Sequence, residues 1–364
     1  LYQHLVANGV KFEFFHKVKT IAAGGEGADK FVQSIEFEQQ AATVSGPYQP
    51  VEIKDGMVIW PSEPHWDQLQ NGPEMEAKGV NFESNWCDQP PAGPPVTINV
   101  GEDFDVAVLA IALGALKNLN DEDVSICQSL IDNSKPFADW VNNVGLVPSM
   151  GVQLWSNKTT HGLGWPWDKA ACVSGPEYLN IWADMTQVLA FEPWDPPRTK
   201  PLSLHYLTGT YNTQLYRAPR SQTGTPAVAA ADLRNQTVDW LNTYSYAPWP
   251  KTRLDDGFDW SVLSAPDGTV GEARLDAQYL RPNIDPTECC TISSAGTTKF
   301  RLHADGSGYT NLFLAGEGTA MGLTTSFEGS IMSGSAASRA ICGQPEHIVG
   351  YDFLERKPSQ GPGK

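Results

Sequence analysis

The stretch from Asn311 to Gly343 constrains the fold of this chain more than any other part of it. The apolar run from Leu312 to Ala315 is too short for a helix and ends at Gly316, which predicts a buried strand. A loop rich in Gly and Thr follows. Ser326 then stands in position to cap a helix that the sequence predicts from about Phe327 to Ile341.

One face of this predicted helix carries almost no bulk, because Gly329, Ser333 and Ala337 recur every four residues. Such a face allows a flat ligand or another backbone to approach closely. The positive N-terminal end of the helix, with Glu328 in its first turn, faces the carboxyl edge of the strand and favours an electron-rich or anionic group. Spacing alone leaves a second interpretation open, in which the small residues only pack on a sheet.

The same residues resemble the C-terminal flavin-binding segment of the flavin amine oxidase and phytoene-desaturase superfamily. The resemblance implies that Glu317, where that family usually has Asp, binds the ribityl or pyrophosphate part of FAD. It implies that Gly316 lets the backbone approach the cofactor, and that Ser326 to Gly329 lie under the pyrimidine edge of the flavin. The cofactor-binding residues implied in this way are Val18, Gly316, Glu317, Thr325, Ser326, Phe327, Glu328 and Gly329.

A second match lies far upstream. Asp105 to Ala112 is a continuous apolar run, which predicts a strand covered on both faces. Its continuation into Gly114-Ala115-Leu116 matches the superfamily pattern where the chain re-enters the FAD sheet. Val10 to Val18 alternates as a strand does, and the resemblance implies that the backbone at its end, Val18, contacts the adenine of FAD. An ordinary strand end is the competing interpretation. Phe31 to Phe37 is the predicted hairpin partner.

In the resembled superfamily a Gly-x-Gly-x-x-Gly motif comes first and holds the FAD pyrophosphate at a helix N-terminus. Gly24-Gly25-Glu26-Gly27 lacks that spacing and is predicted to be a hairpin turn, and the run from Asp305 to Gly308 is also a predicted turn. The sequence therefore resembles the C-terminal portion of such a flavoprotein. We expect the motif in a removed segment or in a separate polypeptide partner.

The predicted fold class is α/β, with a Rossmann-like FAD-binding lobe, incomplete at its N-terminus, and an α+β substrate lobe built on a mixed sheet. The predicted FAD-binding lobe comprises residues 1–46, 101–117 and 300–345; the substrate lobe comprises 47–100 and 118–299, and 346–364 form a tail. Predicted strands of the substrate lobe are Met150–Trp155 and Leu202–Leu207, and its predicted helices are Val124–Asn143 with a break at Pro136, Tyr178–Leu189 and Ala227–Tyr244.

Composition narrows the classes of function. With 364 residues, 41% hydrophobic and 18% charged, the chain is globular and long enough for a sizeable core. A net charge of −17 argues against binding to nucleic acid or to an anionic membrane surface, and no apolar run reaches the roughly 18 residues of a membrane span. Six scattered cysteines without metal-ligand spacing predict reduced thiols in a cytoplasmic protein with no metal site.

The chemistry that the resemblance implies is hydride transfer to N5 of FAD, with the helix N-terminus near Ser326 and Phe327 stabilising the negative charge of the reduced flavin. His161, in a loop rich in Gly and Trp, is the candidate catalytic group for proton transfer. A surface histidine is the competing interpretation.

The predicted function is therefore an FAD-dependent oxidoreductase that takes a hydride from an amine-type C–N bond of a small organic substrate. Three alternatives stay open. One is desaturation or isomerisation of an apolar polyene or isoprenoid, and another is a non-catalytic flavin-binding or scaffold subunit. The third, a carbohydrate-active enzyme, has only the acidic, Trp-rich composition in its favour.

Overall fold

The computed structural model of the chain describes residues 1–54, 56–167, 172–175, 178–192, 200–323 and 325–355. They form two compact units, of which the first takes residues 1–145, 219–223 and 291 onwards and the second takes 146–218 and 224–290. Residues 356–364 of the predicted tail lie outside the described residues. In the part of the chain that the structure describes, no helix combines the length and the apolar character that crossing a membrane requires.

The bounds of the elements are as follows. Helices of the first unit are α1 (Tyr2–Ala7), α2 (Gly72–Ala77), α3 (Leu113–Leu116), α4 (Gln128–Asn133), α5 (Lys135–Asn143), α7 (Phe327–Cys342) and α8 (Tyr351–Glu355), and α6 (Thr225–Tyr244) belongs to the second unit. Strands of the first unit are β1 (His16–Gly24), β2 (Phe31–Gln39), β3 (Glu52–Lys54), β4 (Met57–Ile59), β5 (Val96–Asn99), β6 (Ala107–Leu109) and β16 (Leu312–Leu314). Strands of the second unit are β8 (Ser149–Ser156), β9 (Cys172–Ser174), β10 (Ile181–Asp184), β11 (Ser203–Thr210), β12 (Arg253–Leu254), β13 (Gly257–Phe258) and β14 (Tyr279–Asn283). The chain passes between the units within β7 (Gly145–Val147) and β15 (Cys290–Ile292).

The β1–β2 hairpin confirms the predicted partner strand and the glycine turn. β1 and β2 pair antiparallel from His16 opposite Gln39 to Gly24 opposite Phe31, and β5 extends the sheet beyond β2. Gly25 has φ +73°, and a Cβ there would lie 2.2 Å from the carbonyl oxygen of Asp29. Only glycine fits position 25 of this turn, so the glycine run serves the hairpin that the sequence predicts.

The predicted strand from Val10 to Val18 is wrong over most of its length, because β1 begins only at His16. Phe15 has φ +58°, a left-handed conformation that interrupts an extended strand at this residue. The aromatic side chains of the segment pack on rings elsewhere in the chain instead, with Phe12 at 4.8 Å from Tyr2 between ring centroids and Phe15 at 4.9 Å from Tyr48. This non-local aromatic packing overrode the alternating pattern.

β6 and β16 form a parallel pair, with Leu312 opposite Ala107 and Leu314 opposite Leu109. This confirms the strand predicted at Leu312, and α7 confirms the helix predicted after it. The prediction of a long strand from Asp105 to Ala112 is wrong, because β6 ends at Leu109, level with the end of its short partner. Val108 is 49% exposed, so the described residues leave uncovered one face of a strand predicted to be covered on both.

The sheet of the second unit has the strand order β14-β8-β11-β10-β9, and each recorded pairing in it is antiparallel. The prediction of a mixed sheet is therefore not met by the described strands. The helix predicted from Tyr178 to Leu189 is also wrong: β10 occupies its middle, pairing on both sides, and a 3₁₀ turn follows at Thr186–Ala190. The carboxylate of Asp184 accepts hydrogen bonds from the backbone N–H and the hydroxyl of Thr186, which starts that turn.

Other elements follow the pattern of the sequence. β8, β11 and α6 lie at the predicted strands and helix within a few residues. The break predicted between Val124 and Asn143 is present at Ser134, whose side chain caps α5 by accepting from the N–H of Phe137 at 3.4 Å. Pro136 then stands in the first turn of α5, where its missing N–H costs nothing.

His205 occupies the core of the second unit with 1% of its surface exposed. The indole N–H of Trp182 donates to its Nδ1 at 3.2 Å, and Ser203 Oγ lies 2.9 Å from its Nε2. Ser203 gives its own proton to the carbonyl of Lys158 at 2.6 Å. Nε2 therefore carries the proton, Nδ1 is a bare acceptor and the ring is neutral. Burial lowers the pKa of His205 from 6.5 to about 4, while the nearby carboxylate of Asp184 opposes that shift.

The buried ring gives the second unit a defined pH dependence. In the unfolded chain His205 becomes protonated as the pH falls below 6.5. In the folded chain it stays neutral until the pH falls to about 4. Stability is therefore lost as the pH falls through this window, by at most about 1.4 kcal/mol per pH unit. In His205→Gln the slope of the free energy of unfolding against pH, measured by denaturant titration, becomes shallower by up to that amount. The matched control is His161→Gln, whose side chain in the same unit is exposed, and an unchanged slope in His205→Gln would contradict the assignment.

Candidate functional site

The turn that follows β16 is the centre of the candidate site. Gly316 has φ +108°, a conformation that side chains rarely adopt. A Cβ built on Gly316 would meet no atom of the described residues within 4 Å. Glycine is thus required here by the backbone conformation, and open space lies beside that backbone at the carboxyl end of a parallel strand pair. Ligands bind at this end of the strands in open α/β sheets.

A closed ring of hydrogen bonds fixes this turn on the small face of α7. The N–H of Gly316 donates to Ser333 Oγ at 2.9 Å, and Thr319 Oγ1 donates to the carbonyl of Gly316 at 2.8 Å. The two hydroxyl oxygens lie 2.9 Å apart. Since the single proton of Thr319 is already used, Ser333 is the donor in that third bond. Ser333 and Thr319 are 2% and 3% exposed, so the ring lies within the protein.

The opposite side of the turn packs on α3 and α5. The indole N–H of Trp140 donates to the carbonyl of Gly318 at 2.7 Å. A Cβ on Gly318 would lie 3.3 Å from the Trp140 ring and 3.5 Å from Leu113. The turn is therefore held from two sides before any ligand binds.

Glu317 and Arg301 set the electrostatics of the turn. Arg301 is 6% exposed and donates to the carbonyl oxygens of Glu317 and Thr319 at 2.6 and 3.4 Å. Glu317 Oε1 accepts from the backbone N–H of Thr291 at 3.0 Å. Its other carboxylate oxygen has no recorded partner among the described residues and remains available as an acceptor. Burial lowers the pKa of Arg301, and the nearby charge of Glu317 counteracts this shift.

The start of α7 offers donors to a ligand. Ser326 caps the helix as predicted, its Oγ accepting from the N–H of Gly329 at 3.0 Å. The N–H groups of Phe327 and Glu328 have no described acceptor, as expected in a first helical turn. Phe327 is 70% exposed, so this end of the helix is open. Thr325, directly before the cap, has φ +53°, a strained conformation of the kind that clusters at ligand sites.

Gly329 decides between the two interpretations of the small helix face. A Cβ there would lie 2.1 Å from the carbonyl oxygen of Leu323 and 3.1 Å from the sulfur of Met321. The loop before the helix therefore crosses its first turn at backbone distance, and Gly329 is needed for this crossing. The face of α7 that holds Gly329 and Ser333 packs against protein. The ligand-accessible part is the open N-terminal end.

Two further predicted residues lie elsewhere. Val18 is a half-buried residue of β1 opposite Phe37, and a β-bulge follows it before Thr20. His161 belongs to the second unit and its side chain is exposed. It lies in a turn in which its own carbonyl accepts a hydrogen bond from the N–H of Gly164. The structure thus brings the predicted residues from Gly316 to Gly329 together in the first unit, and His161 is not among them.

A comparison with known protein families matches a region of the chain that includes α7 and the turn after β16. The model of the family described as flavin containing amine oxidoreductase matches residues 86–342, well over half of the sequence. The chain belongs to this family. Comparison with curated proteins gives no significant match. Because the family is flavin-containing, membership supports FAD as the cofactor and a flavin-dependent oxidoreductase as the class of enzyme.

The residues of the turn fit this cofactor. The open space beside Gly316 would admit a group at backbone distance. An available carboxylate oxygen on Glu317 suits a hydroxyl donor, and the two N–H groups at the start of α7 suit an acceptor. Among the described residues no cluster of His, Cys, Asp or Glu could hold a metal ion.

Sequence reasoning missed the residues that hold the turn in place. These residues are Arg301, Thr319 and Trp140. Each donates a side-chain hydrogen bond to a backbone carbonyl of the turn, and none of them stands in a recognisable motif. The run from Thr297 to Leu302 contains a signal for Arg301, a charged residue shortly before the strand predicted at Leu312. Its carbonyl partners become apparent only in the folded chain.

A matched pair of glycine variants tests the loop crossing. Gly329→Ala places a methyl group against the backbone of Leu323, so we expect a loss of about 1–3 kcal/mol in the free energy of unfolding. Gly334→Ala, on the same helix with open space around it, should instead stabilise by up to about 1 kcal/mol. Denaturant titration measures both. Equal stability of the two variants would contradict the crossing.

The hydrogen-bond ring is tested separately. Ser333→Ala leaves the buried N–H of Gly316 without its acceptor and should cost about 1–3 kcal/mol in thermal or chemical unfolding. Ser330→Ala is the control, because Ser330 lies on the exposed side of the same helix and its recorded side-chain bond is to the carbonyl of Ser326. If both serines tolerate alanine equally well, the ring does not hold the turn.

Proposed function

We propose that this chain is an FAD-dependent oxidoreductase that takes a hydride from the carbon of an amine-type C–N bond in a small organic substrate. The observation that carries the proposal is the preformed turn from Gly316 to Thr319, which Ser333 holds on α7 and which leaves space beside Gly316 in the described part of the chain. The family match supports the flavin, and the amine substrate is the part that the proposal adds.

Glu317 is proposed to bind the ribityl chain of FAD and not its pyrophosphate. A carboxylate accepts protons from hydroxyl groups, whereas it repels a phosphate of the same charge. With Oε1 already committed to Thr291, its second oxygen takes the ribityl hydroxyl. Gly316 supplies the open approach to this group, since any side chain there would be strained. Thr325 and Val18 remain proposed contacts of the flavin and of the adenine.

The start of α7 is proposed to stabilise negative charge on the pyrimidine edge of the flavin. Phe327 and Glu328 contribute their backbone N–H groups, and the positive end of the helix adds to them. The carboxylate of Glu328 is exposed, so water screens its opposing charge. When bound, FAD supplies the hydride-accepting N5.

His161 is proposed as the group that moves a proton at the substrate nitrogen. Its ring is exposed and no described side chain bonds it, so a substrate amine can reach it. An imidazole can accept a proton at physiological pH. The residue is therefore tested by the pH dependence of turnover in His161→Gln.

We also propose a partner for the first unit, a polypeptide bearing Gly-x-Gly-x-x-Gly, either a further segment of a longer chain or a separate chain. Parallel strands are normally covered on both faces, yet Val108 of β6 is 49% exposed, and Val106, directly before the strand, is 41% exposed. In the described residues β6 pairs with β16 alone. A further parallel strand beside β6, followed by a helix, would cover these valines and bring the phosphate-binding turn to FAD.

Anaerobic mixing tests the function. The flavin-bound protein, with its partner if one co-purifies, is mixed with a panel of primary and secondary amines and with apolar isoprenoids. Bleaching of the visible flavin absorbance by amines supports the proposal. Bleaching by isoprenoids alone replaces it with desaturation. A protein that binds flavin but is bleached by neither class is a non-catalytic flavin-binding subunit.

The role of Glu317 has its own prediction. Glu317→Gln keeps an oxygen for the N–H of Thr291 but removes the charge that accepts from a ribityl hydroxyl, so FAD should bind about tenfold more weakly. Equilibrium dialysis or flavin fluorescence measures the affinity. Glu346→Gln, an exposed carboxylate outside the turn, serves as the control and should bind FAD as the unmodified chain does. Unchanged affinity in Glu317→Gln would remove the ribityl contact from the account.

A further inference from the structure

Five tryptophans of the second unit make one continuous series of ring contacts. The separations between ring centroids are 4.7 Å from Trp167 to Trp165, 4.8 Å to Trp182, 5.9 Å to Trp249 and 6.0 Å to Trp240. These are the distances of aromatic rings in direct contact. Trp167 is 63% exposed, whereas Trp182 is 3% exposed and Trp240 and Trp249 are 2% exposed each. The series therefore leads from solvent into the core.

The indole N–H groups along this series differ in their partners. The Nε1 atoms of Trp165, Trp240 and Trp249 are buried and have no acceptor among the described residues. A buried donor without an acceptor is rare in proteins. Trp182 differs, because its N–H donates to the bare Nδ1 of His205 at 3.2 Å. Among these four tryptophans, Trp182 is thus the one that faces a base.

Two neighbours of His205 attract a positive charge on its ring and so oppose the burial that keeps the ring neutral. The Trp249 ring lies 4.8 Å from the imidazole, at a distance where an aromatic face attracts a cation. Asp184 is directly opposite His205 in the β10–β11 pair and adds an attractive negative charge. The proton on Nε2 stays on its bond to Ser203, so only Nδ1 is available to a new proton.

These contacts match the chemistry of indole oxidation. Indole is among the most easily oxidised side chains, and loss of one electron makes its N–H strongly acidic. A tryptophan radical cation without a base keeps its proton and takes an electron from a neighbouring ring. One beside a base loses the proton and holds the unpaired electron as a neutral radical.

We propose that this tryptophan series conducts one-electron oxidising equivalents from Trp167 at the surface to a trap formed by Trp182 and His205. A one-electron oxidant takes an electron from Trp167 and is reduced by one electron. Trp165 then reduces Trp167, and Trp182 reduces Trp165. The Nε1 proton of Trp182 passes to Nδ1 of His205, which leaves a neutral tryptophanyl radical and an imidazolium ion. No other bond changes, and the added positive charge resides on His205.

Pulse radiolysis with azide radical tests the proposal on the full purified chain with its bound cofactor. Azide radical oxidises indole and becomes azide anion. We expect a neutral tryptophanyl radical that outlives the surface radicals and resists quenching by ascorbate, because the trap is buried. In Trp182→Phe this long-lived fraction should disappear, and oxidised indole should accumulate at Trp165 and Trp167 in peptide mass spectra.

Two further variants separate conduction from folding. Trp260→Phe is the matched control, because Trp260 lies in the same unit and its recorded ring contact is with Phe258 at 5.1 Å, outside the series; it should keep the long-lived radical. His205→Gln keeps an acceptor for the Trp182 N–H but no base, so the transient spectrum should shift from the neutral to the cation form. A long-lived, ascorbate-resistant radical in Trp182→Phe equal to that of the unmodified chain would overturn the proposal, as would an unshifted spectrum in His205→Gln.

Discussion

The hydrogen bond from the N–H of Gly316 to Ser333 places the end of β16 on α7, and the candidate site follows from it. Because Thr319 closes the ring, the turn has a fixed shape before any ligand binds. A fixed turn gives the carboxylate of Glu317 a fixed position and keeps the space beside Gly316 open. Preorganisation of this kind lowers the entropy cost of binding a long, flexible cofactor.

Charge at the site is balanced by backbone as much as by side chains. Arg301 is buried and its recorded bonds are to carbonyl oxygens and hydroxyl groups, so it holds the turn as a set of donors as well as a cation. The negative charge of Glu317 lies near this cation and partly offsets the effect of burial on it. The N-terminal end of α7 adds a partial positive charge without a side chain that solvent could move away.

The sequence predicts the core of this site well, because its evidence is local. A short apolar run before Gly316, a serine at the cap and small residues at a spacing of four determine β16, the cap and α7. Prediction fails where distant contacts decide. Phe12 and Phe15 pack on aromatic rings and prevent the strand predicted at Val10–Val18, and β10 forms where an amphipathic helix is predicted because strands on both sides pair with it.

The reason for Gly329 shows the same limit within the site. Its place in the small-residue pattern is visible in the sequence, yet the pattern fits a ligand and a backbone equally well. The carbonyl of Leu323, six residues before Gly329, lies against it, so this glycine makes room for backbone. Arg301 is likewise recognisable as a charged residue near the flavin strand, but its carbonyl partners depend on the fold.

The most direct test of FAD binding at this turn and at the start of α7 is hydrogen exchange of the protein with and without FAD, measured by mass spectrometry of overlapping peptides. We expect slower exchange on FAD addition at the start of α7, around Phe327 and Glu328, and in the turn from Gly316 to Thr319. Unchanged exchange throughout the protein would contradict FAD binding by this chain. FAD that binds but slows exchange only in other segments would contradict its placement at this turn.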